Sequence, residues 1–456
     1  MNLLEKIQEA GIVGQGGAGF PAHVKLDAKV EYLLINALEC EPLLFTDKHI
    51  INNYAHQIVE AILVIKNHLD ARQAVIGIKA INAKEVAAME KAINDLDADV
   101  QIHQSHNYYP SGDEQMLVYD VTKRTVPQGG IPLNVGCVVT NVGTLLEINR
   151  AIGGNGAVTH KFLTVTGEVG LPSVIKVPIG ASFTDCIAAC HGTLLTNYKI
   201  IDGGPFMGKI YNKEEESNLF VRKTTSSIIV TKDDNNINAK IKDANLKQVL
   251  NRARAACIQC RACTDLCPRH LVGHRLHPHK VMRAMAAANF EGESLNSEYI
   301  HENRELLEEA LICCECGICE TYACPMELLP RQINVFVKMQ FLKEGLKYEN
   351  RKLPYPPHPV REYRKPTAYS ILARMGLYDL TKIRVENYIE HTPAAVRVSL
   401  SQHIGKPAVA VVSSGDMVEV GQLIGKADGK VSANIHAGIR GKVVEVADYI
   451  EIEGVR

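Results

Sequence analysis

Cys257-Ile-Gln-Cys260-Arg-Ala-Cys263-Thr-Asp-Leu-Cys267-Pro268 is the stretch on which the reading of this chain turns. Cysteines at steps of three residues wrap a tight loop around one corner of a cubane iron-sulfur cluster, and a proline turns the chain away after the fourth. A second group, Cys313, Cys316, Cys319 and Cys324 followed by Pro325, repeats the pattern with a longer last gap. Cys314 competes with Cys313 here, but only Cys313 keeps the two-residue spacing to Cys316, so Cys314 reads as packing. Zinc sites pair two short hairpins across a longer gap and do not need the third close cysteine, which leaves structural zinc the weaker reading.

Of 13 cysteines, only Cys40, Cys137, Cys186 and Cys190 lie outside these two groups and Cys314. In a reduced cytosolic chain such clustering points to metal rather than to disulfides. Cys186 and Cys190, one helical turn apart, read as core thiols. The first group has the run of bacterial ferredoxins, in which the fourth cysteine serves the other cluster. That rule predicts one [4Fe-4S] cluster on Cys257, Cys260, Cys263 and Cys324, and another on Cys313, Cys316, Cys319 and Cys267. Two clusters in one small fold make a relay for single electrons.

Around this segment, 456 residues argue for several domains. Lys plus Arg (50) against Asp plus Glu (51) leaves a net charge of -1, so no global field draws the chain to nucleic acid or anionic lipid. No apolar run approaches the roughly 20 residues of a membrane span, and the first ten residues lack a signal-peptide core; the expected location is cytoplasmic.

The expected fold class is multidomain α/β and α+β. A short helix over 1–10 leads into GIVGQGGAGF (Gly11 to Phe20), with five glycines in ten residues. A helix stands where a dinucleotide-binding Rossmann turn needs a strand, so that fingerprint is not expected. Tyr32 to Leu38 reads as a buried strand whose exit carries Glu39 and Glu41, beyond the carboxyl end where α/β ligands bind. Helical and strand patterns then alternate to about residue 157. The expected domains are an α/β domain over 1–157, a β-rich module over 158–212, a connecting hairpin over 213–244, a two-cluster helical domain over 245–350, a Pro-rich linker over 351–392 and a β barrel-sandwich over 393–456. The last resembles biotinyl and lipoyl carriers in rhythm, but Ile435, His436 and Ala437 stand where the carrier lysine would be. His270, His274, His277 and His279 read as a solvated basic connecting face rather than a contact for a corrin or partner.

GQGGAGFPAHVKL (Gly14 to Leu26), INALECEP (Ile35 to Pro42), YPSGDE (Tyr109 to Glu114) and TNVGT (Thr140 to Thr144) resemble, in the same order, the FMN-site motifs of the flavin-bearing electron-entry subunits. That family includes the NADH subunit of respiratory complex I and the C subunit of the Rnf complex. The resemblance implies FMN on an α/β domain, with Gly14, Gly16 and Gly17 at the phosphate and ribityl chain. It also implies polar contacts from Lys25, Asn36, Glu39, Tyr109, Gly112, Glu114, Asn141 and Thr144. The family's usual acidic residue is replaced by Gly143, a departure on the nicotinamide side of the pocket. Residues 158–212 resemble its soluble-ligand-binding β-grasp (SLBB-like) module.

The QHIG segment, Gln402 to Gly405, follows the clusters, whereas the Rnf family members carry their barrel-sandwich before the flavin domain. This permuted order is similar to that of the cobalamin reductases of propanediol-utilisation microcompartments. The implied activity is NADH oxidation with single-electron delivery through two [4Fe-4S] clusters, reducing cob(III)alamin and cob(II)alamin towards cob(I)alamin. The implied partners are cobalamin or a cobalamin-handling protein, a microcompartment shell and other redox proteins. The competing reading is an adaptor of Rnf-like or proline-reductase-associated type that passes electrons between proteins.

Overall fold

The computed structural model describes residues 2–17, 19–154, 156–233, 245–288, 290–291, 294–349 and 354–455. Part of the expected connecting segment (234–244) and of the expected linker (351–353) lies outside the described residues. The chain divides into two compact units. The first comprises Met1–His106, Gly136–Asp233 and Leu380–Arg456, and the second Asn107–Val135 and Asp234–Asp379.

In the first unit, β1 (Tyr32–Ala37), β2 (Gln73–Lys79), β3 (Gln101–Ser105) and β4 (Cys137–Asn141) form a parallel sheet in the order β3-β2-β1-β4. Leu33, Leu34 and Ile35 of β1 are completely buried, as a strand covered on both faces requires. The order reverses between β1 and β4, and α/β sheets bind ligands beyond the carboxyl ends at such a point. The helices Thr46–His68 and Val142–Ile152 pack on the sheet through Ile58, Ile62, Ile65, Leu145 and Ile148.

A six-stranded sheet follows, built from β5 (His160–Gly167), β6 (Ser173–Pro178), β7 (Tyr198–Asp202), β8 (Lys209–Asn212) and β9 (Ser227–Lys232). Its sixth strand, Asn387–Glu390, pairs in parallel with β6. Phe183, Cys186, Ile187 and Cys190 fill its core, so these two thiols are packing residues. The C-terminal segment makes two small sheets. Val396, Val398, Val443, Ile450 and Ile452 pack inward, and Ile435, His436 and Ala437 are all buried.

The second unit packs the helices Leu246–Ala256, Pro278–Ala287 and Pro330–Lys343 through Val249, Val281, Met285, Ile333, Val337 and Phe341. Residues 107–135, read from the sequence as part of the 1–157 domain, pack in this unit. The Tyr109 hydroxyl donates to the Cys316 carbonyl (2.8 Å), and Arg269 pairs with Asp113 (2.8 Å) and Arg361 with Asp120 (2.8 Å), all largely buried. Among the described residues no helix is long and apolar enough to cross a membrane.

Candidate functional site

The glycine run lies beside the point where the strand order reverses. Gln15 N donates to Thr144 Oγ1 (3.0 Å), tying the loop to the first turn of the helix Val142–Ile152. Asn141 caps that helix through Gly143 N (2.8 Å), a cap worth about 1 kcal/mol. Its amide also donates to Asp47 Oδ2 (2.8 Å), and Asp47 N donates to Glu39 Oε2 (2.8 Å). Asn36, Glu39, Asn141 and Thr144 are thereby gathered around the carboxyl ends of β1 and β4. Burial pushes the Glu39 carboxyl up to about 8, with the Asp47 carboxylate adding to the rise, and Asp47 is itself raised by burial.

Three residues that sequence reasoning missed complete this network. Lys161 from β5, fully covered, donates to Gln15 Oε1 (2.8 Å), and burial pushes its amine down to about 8. A Cβ at Gly143 would stand 2.9 Å from Gln15 Oε1 at the end of a flexible side chain. Asp47 is the third. Gln15 was detectable as the polar position within the glycine run, but no pattern links it to Lys161. Lys25 Nζ donates to Val139 O (2.9 Å), so its amine steadies β4.

A phosphate-bearing flavin fits this chemistry. Gly17 has φ +120° and nothing within 4 Å of where a Cβ would stand, while Gly16 would meet only Asn141 Cβ at 3.6 Å. Bare backbone beside a helix N-terminus suits an anion. Tyr109, Gly112 and Glu114 belong to the second unit. Tyr109 is buried against the second cysteine group through its bond to Cys316, and Glu114 opens the helix Glu114–Thr122, capped by Asp113.

The cysteine groups repeat one backbone loop. Positive φ falls at Gln259 and Arg261 in the first and at Glu315 and Gly317 in the second. This register equates Cys313 with Cys257, and Cys314 with Ile258. Cys263 faces Cys324, Cys260 and Cys257, and these four line one cavity together with Met282 and Met326. Cys267 faces Cys313 and Cys314, while Cys319 faces both Cys313 and Cys267. Two sets of soft thiol donors with crossed fourth members suit two cubane clusters.

The histidine run is not a solvated face. His274 is buried with its Nε2 at 2.8 Å from Val126 O. His277 pairs with Glu309 (3.0 Å), and His279 bonds Thr264 (2.6 Å). The run is structural because it fastens the loop after the first cysteine group to its surroundings.

Three family models match the chain in sequence order. The Nuo51 FMN-binding domain covers residues 7–150, a 4Fe-4S dicluster domain covers 256–329, and the RnfC barrel sandwich hybrid domain covers 383–455. The chain is an oxidoreductase with an FMN domain and a [4Fe-4S] dicluster domain. It is 36% identical to the cobalamin reductase PduS of Salmonella typhimurium, over 98% of this chain and 95% of that protein. Identity to the cobalamin reductase PduS of Citrobacter freundii is 35%, again over 98% and 95%. It is also 36% identical to the C subunit of the proton-translocating ferredoxin:NAD(+) oxidoreductase complex of Clostridium ljungdahlii, over 59% of this chain and 56% of that protein. Likeness along nearly the whole length of both reductases, barrel included, decides between these two groups of relatives: the chain belongs to the cobalamin reductase PduS family.

Proposed function

We propose that this chain oxidises NADH and delivers the electrons one at a time to cobalamin, reducing it towards cob(I)alamin. The similarity to cobalamin reductases over 98% of the chain carries this reading. A flavin supplies the exchange between two-electron hydride donors and single-electron acceptors. The glycine loop over Gly14, Gly16 and Gly17 and the Asn141-capped helix would hold its phosphate. Asn36, Glu39, Asn141 and Thr144 would orient it.

In this proposal Cys257, Cys260, Cys263 and Cys324 hold one cluster. Cys267, Cys313, Cys316 and Cys319 hold the other, Cys313 being favoured over Cys314 by its shared register with Cys257. The mixed sheet over β5–β9, with its packed helix Phe183–Ala189, supports the SLBB-like β-grasp reading. Residence inside a microcompartment, next to cobalamin-handling proteins, belongs to the same proposal.

Anaerobic addition of NADH and then hydroxocobalamin to the holoprotein tests it. Flavin bleaching followed by cob(II)alamin absorbance is expected. A flavin that NADH leaves oxidised would remove direct NADH oxidation. The second reading, an adaptor between protein partners, is favoured by Gly143 on the nicotinamide side and by the match to the ferredoxin:NAD(+) oxidoreductase complex of Clostridium ljungdahlii. It predicts that flavin unreactive to NADH is bleached by a reduced partner protein.

A further inference from the structure

The C-terminal barrel has no role in the chemistry above, yet it meets the glycine loop at both of its feet. Lys223, 1% exposed, donates from Nζ to Gly11 O (2.7 Å) and to Asn434 O (2.6 Å) of the barrel. Its backbone N–H donates to Oε1 of Gln402 (2.8 Å), which is 2% exposed and itself donates to Ser399 O (3.0 Å). At the other foot Ile404 N donates to Gly19 O (3.2 Å).

Both feet are glycines because neither place has room for a side chain. Gly11 has φ +68° and a Cβ there would stand 2.2 Å from Asn434 O, while Gly19 has φ +66° and its Cβ would stand 2.7 Å from Thr224 Cγ2. Between the feet the loop closes on itself through Gly14 N to Phe20 O (2.8 Å) and the bridge of Val13 with Pro21. The loop is therefore held from its own base, from residues 222–225 and from the barrel together.

We infer that Lys223, with Gln402 and Ile404, clamps the feet of the glycine loop, so that the barrel positions the backbone N–H groups offered to the flavin phosphate. A phosphate site made of backbone gains from preorganisation, since ordering the loop at the moment of binding would be subtracted from affinity. Burial also lowers the Lys223 amine to about 7, in keeping with a group held between two carbonyls rather than used as a solvated charge. Lys223 is a positioning residue: it acts through the loop, and the inference rests on the flavin reading above.

The test is the dissociation constant of FMN and of riboflavin, by flavin fluorescence, for the full-length chain, for Lys223→Met and for Val443→Ala as a matched lesion in the barrel core. Lys223→Met is expected to weaken FMN about tenfold while leaving riboflavin unchanged. Val443→Ala is expected to lower Tm and to alter neither constant. Gln402→Leu gives the same test through the backbone of Lys223 if Lys223→Met does not fold. Equal FMN affinity in the variants, or equal losses of FMN and riboflavin, would overturn the clamp. A wild-type chain that binds riboflavin as tightly as FMN would overturn the phosphate-cradle reading, and the clamp's role with it.

Discussion

The two cysteine groups share a spacing and a backbone loop but not an environment. In the first, Cys260 is exposed and Cys257 and Cys263 are half-buried, with Ile258 at 62% exposure beside them. In the second, Cys316 and Cys319 are buried, and the loop is anchored from three sides. Tyr109 binds the Cys316 carbonyl, Lys338 Nζ the Cys313 carbonyl (2.6 Å), and buried Glu320 pairs with Arg331 (2.6 Å). A shared motif thus sets one backbone loop, while the surroundings decide access and rigidity. The pattern suits a relay with one sheltered station and one station open to an acceptor.

Cutting the supports of the sheltered group should produce the largest effect. Arg269→Met leaves Asp113 buried without its partner and should lower stability by about 3–5 kcal/mol in urea unfolding of the apoprotein. A loss below about 1 kcal/mol would show that the pair is not a support. Accessibility comes next. An iron chelator added anaerobically to the holoprotein should remove iron in two phases, the faster from the group containing Cys260. A single phase would erase the difference between the groups. Tyr109→Phe removes one donor from the Cys316 carbonyl and should cost about 1 kcal/mol, while also quickening the slow chelation phase.

A pH-dependent effect belongs to Glu39. Its folded pKa lies above its unfolded value, so the folded state binds the extra proton. Stability contributed by that proton is present at low pH and is lost as pH rises from the usual carboxylate range through about 8. Apoprotein Glu39→Gln should therefore show a flatter fall of Tm between about pH 6 and 8 than the wild type. Parallel curves would contradict the raised carboxyl.

The shared loop of the cysteine groups was legible because short steps fold the same way whatever surrounds them. The carboxyl end of β1 was legible for a similar reason, since a buried apolar run ending in Glu39 places that residue beyond a strand. Lys25 also donates from its amine to Val139 O, a contact the motif does not show. Gln15, Lys161 and Asp47 were hidden because their association depends on β5 and the helix Thr46–His68 meeting the loop from distant parts of the chain. The packing of 107–135 in the second unit was hidden too, as Tyr109 and Asp113 reach partners more than 150 residues away. The histidine run looked solvated because polarity in sequence does not show that Val126, Glu309 and Thr264 supply buried or part-buried partners.

The central claim is that electrons from NADH reach cobalamin through both cysteine groups. Stopped-flow absorbance of the anaerobic holoprotein, mixed with NADH and hydroxocobalamin, tests it in the wild type, Cys263→Ala and Cys316→Ala. The account predicts that NADH still bleaches the flavin in all three, while cob(II)alamin formation falls by about 100-fold in either variant. Cobalamin reduction at the wild-type rate in both variants would contradict it, because the electrons would then leave the flavin without using the relay.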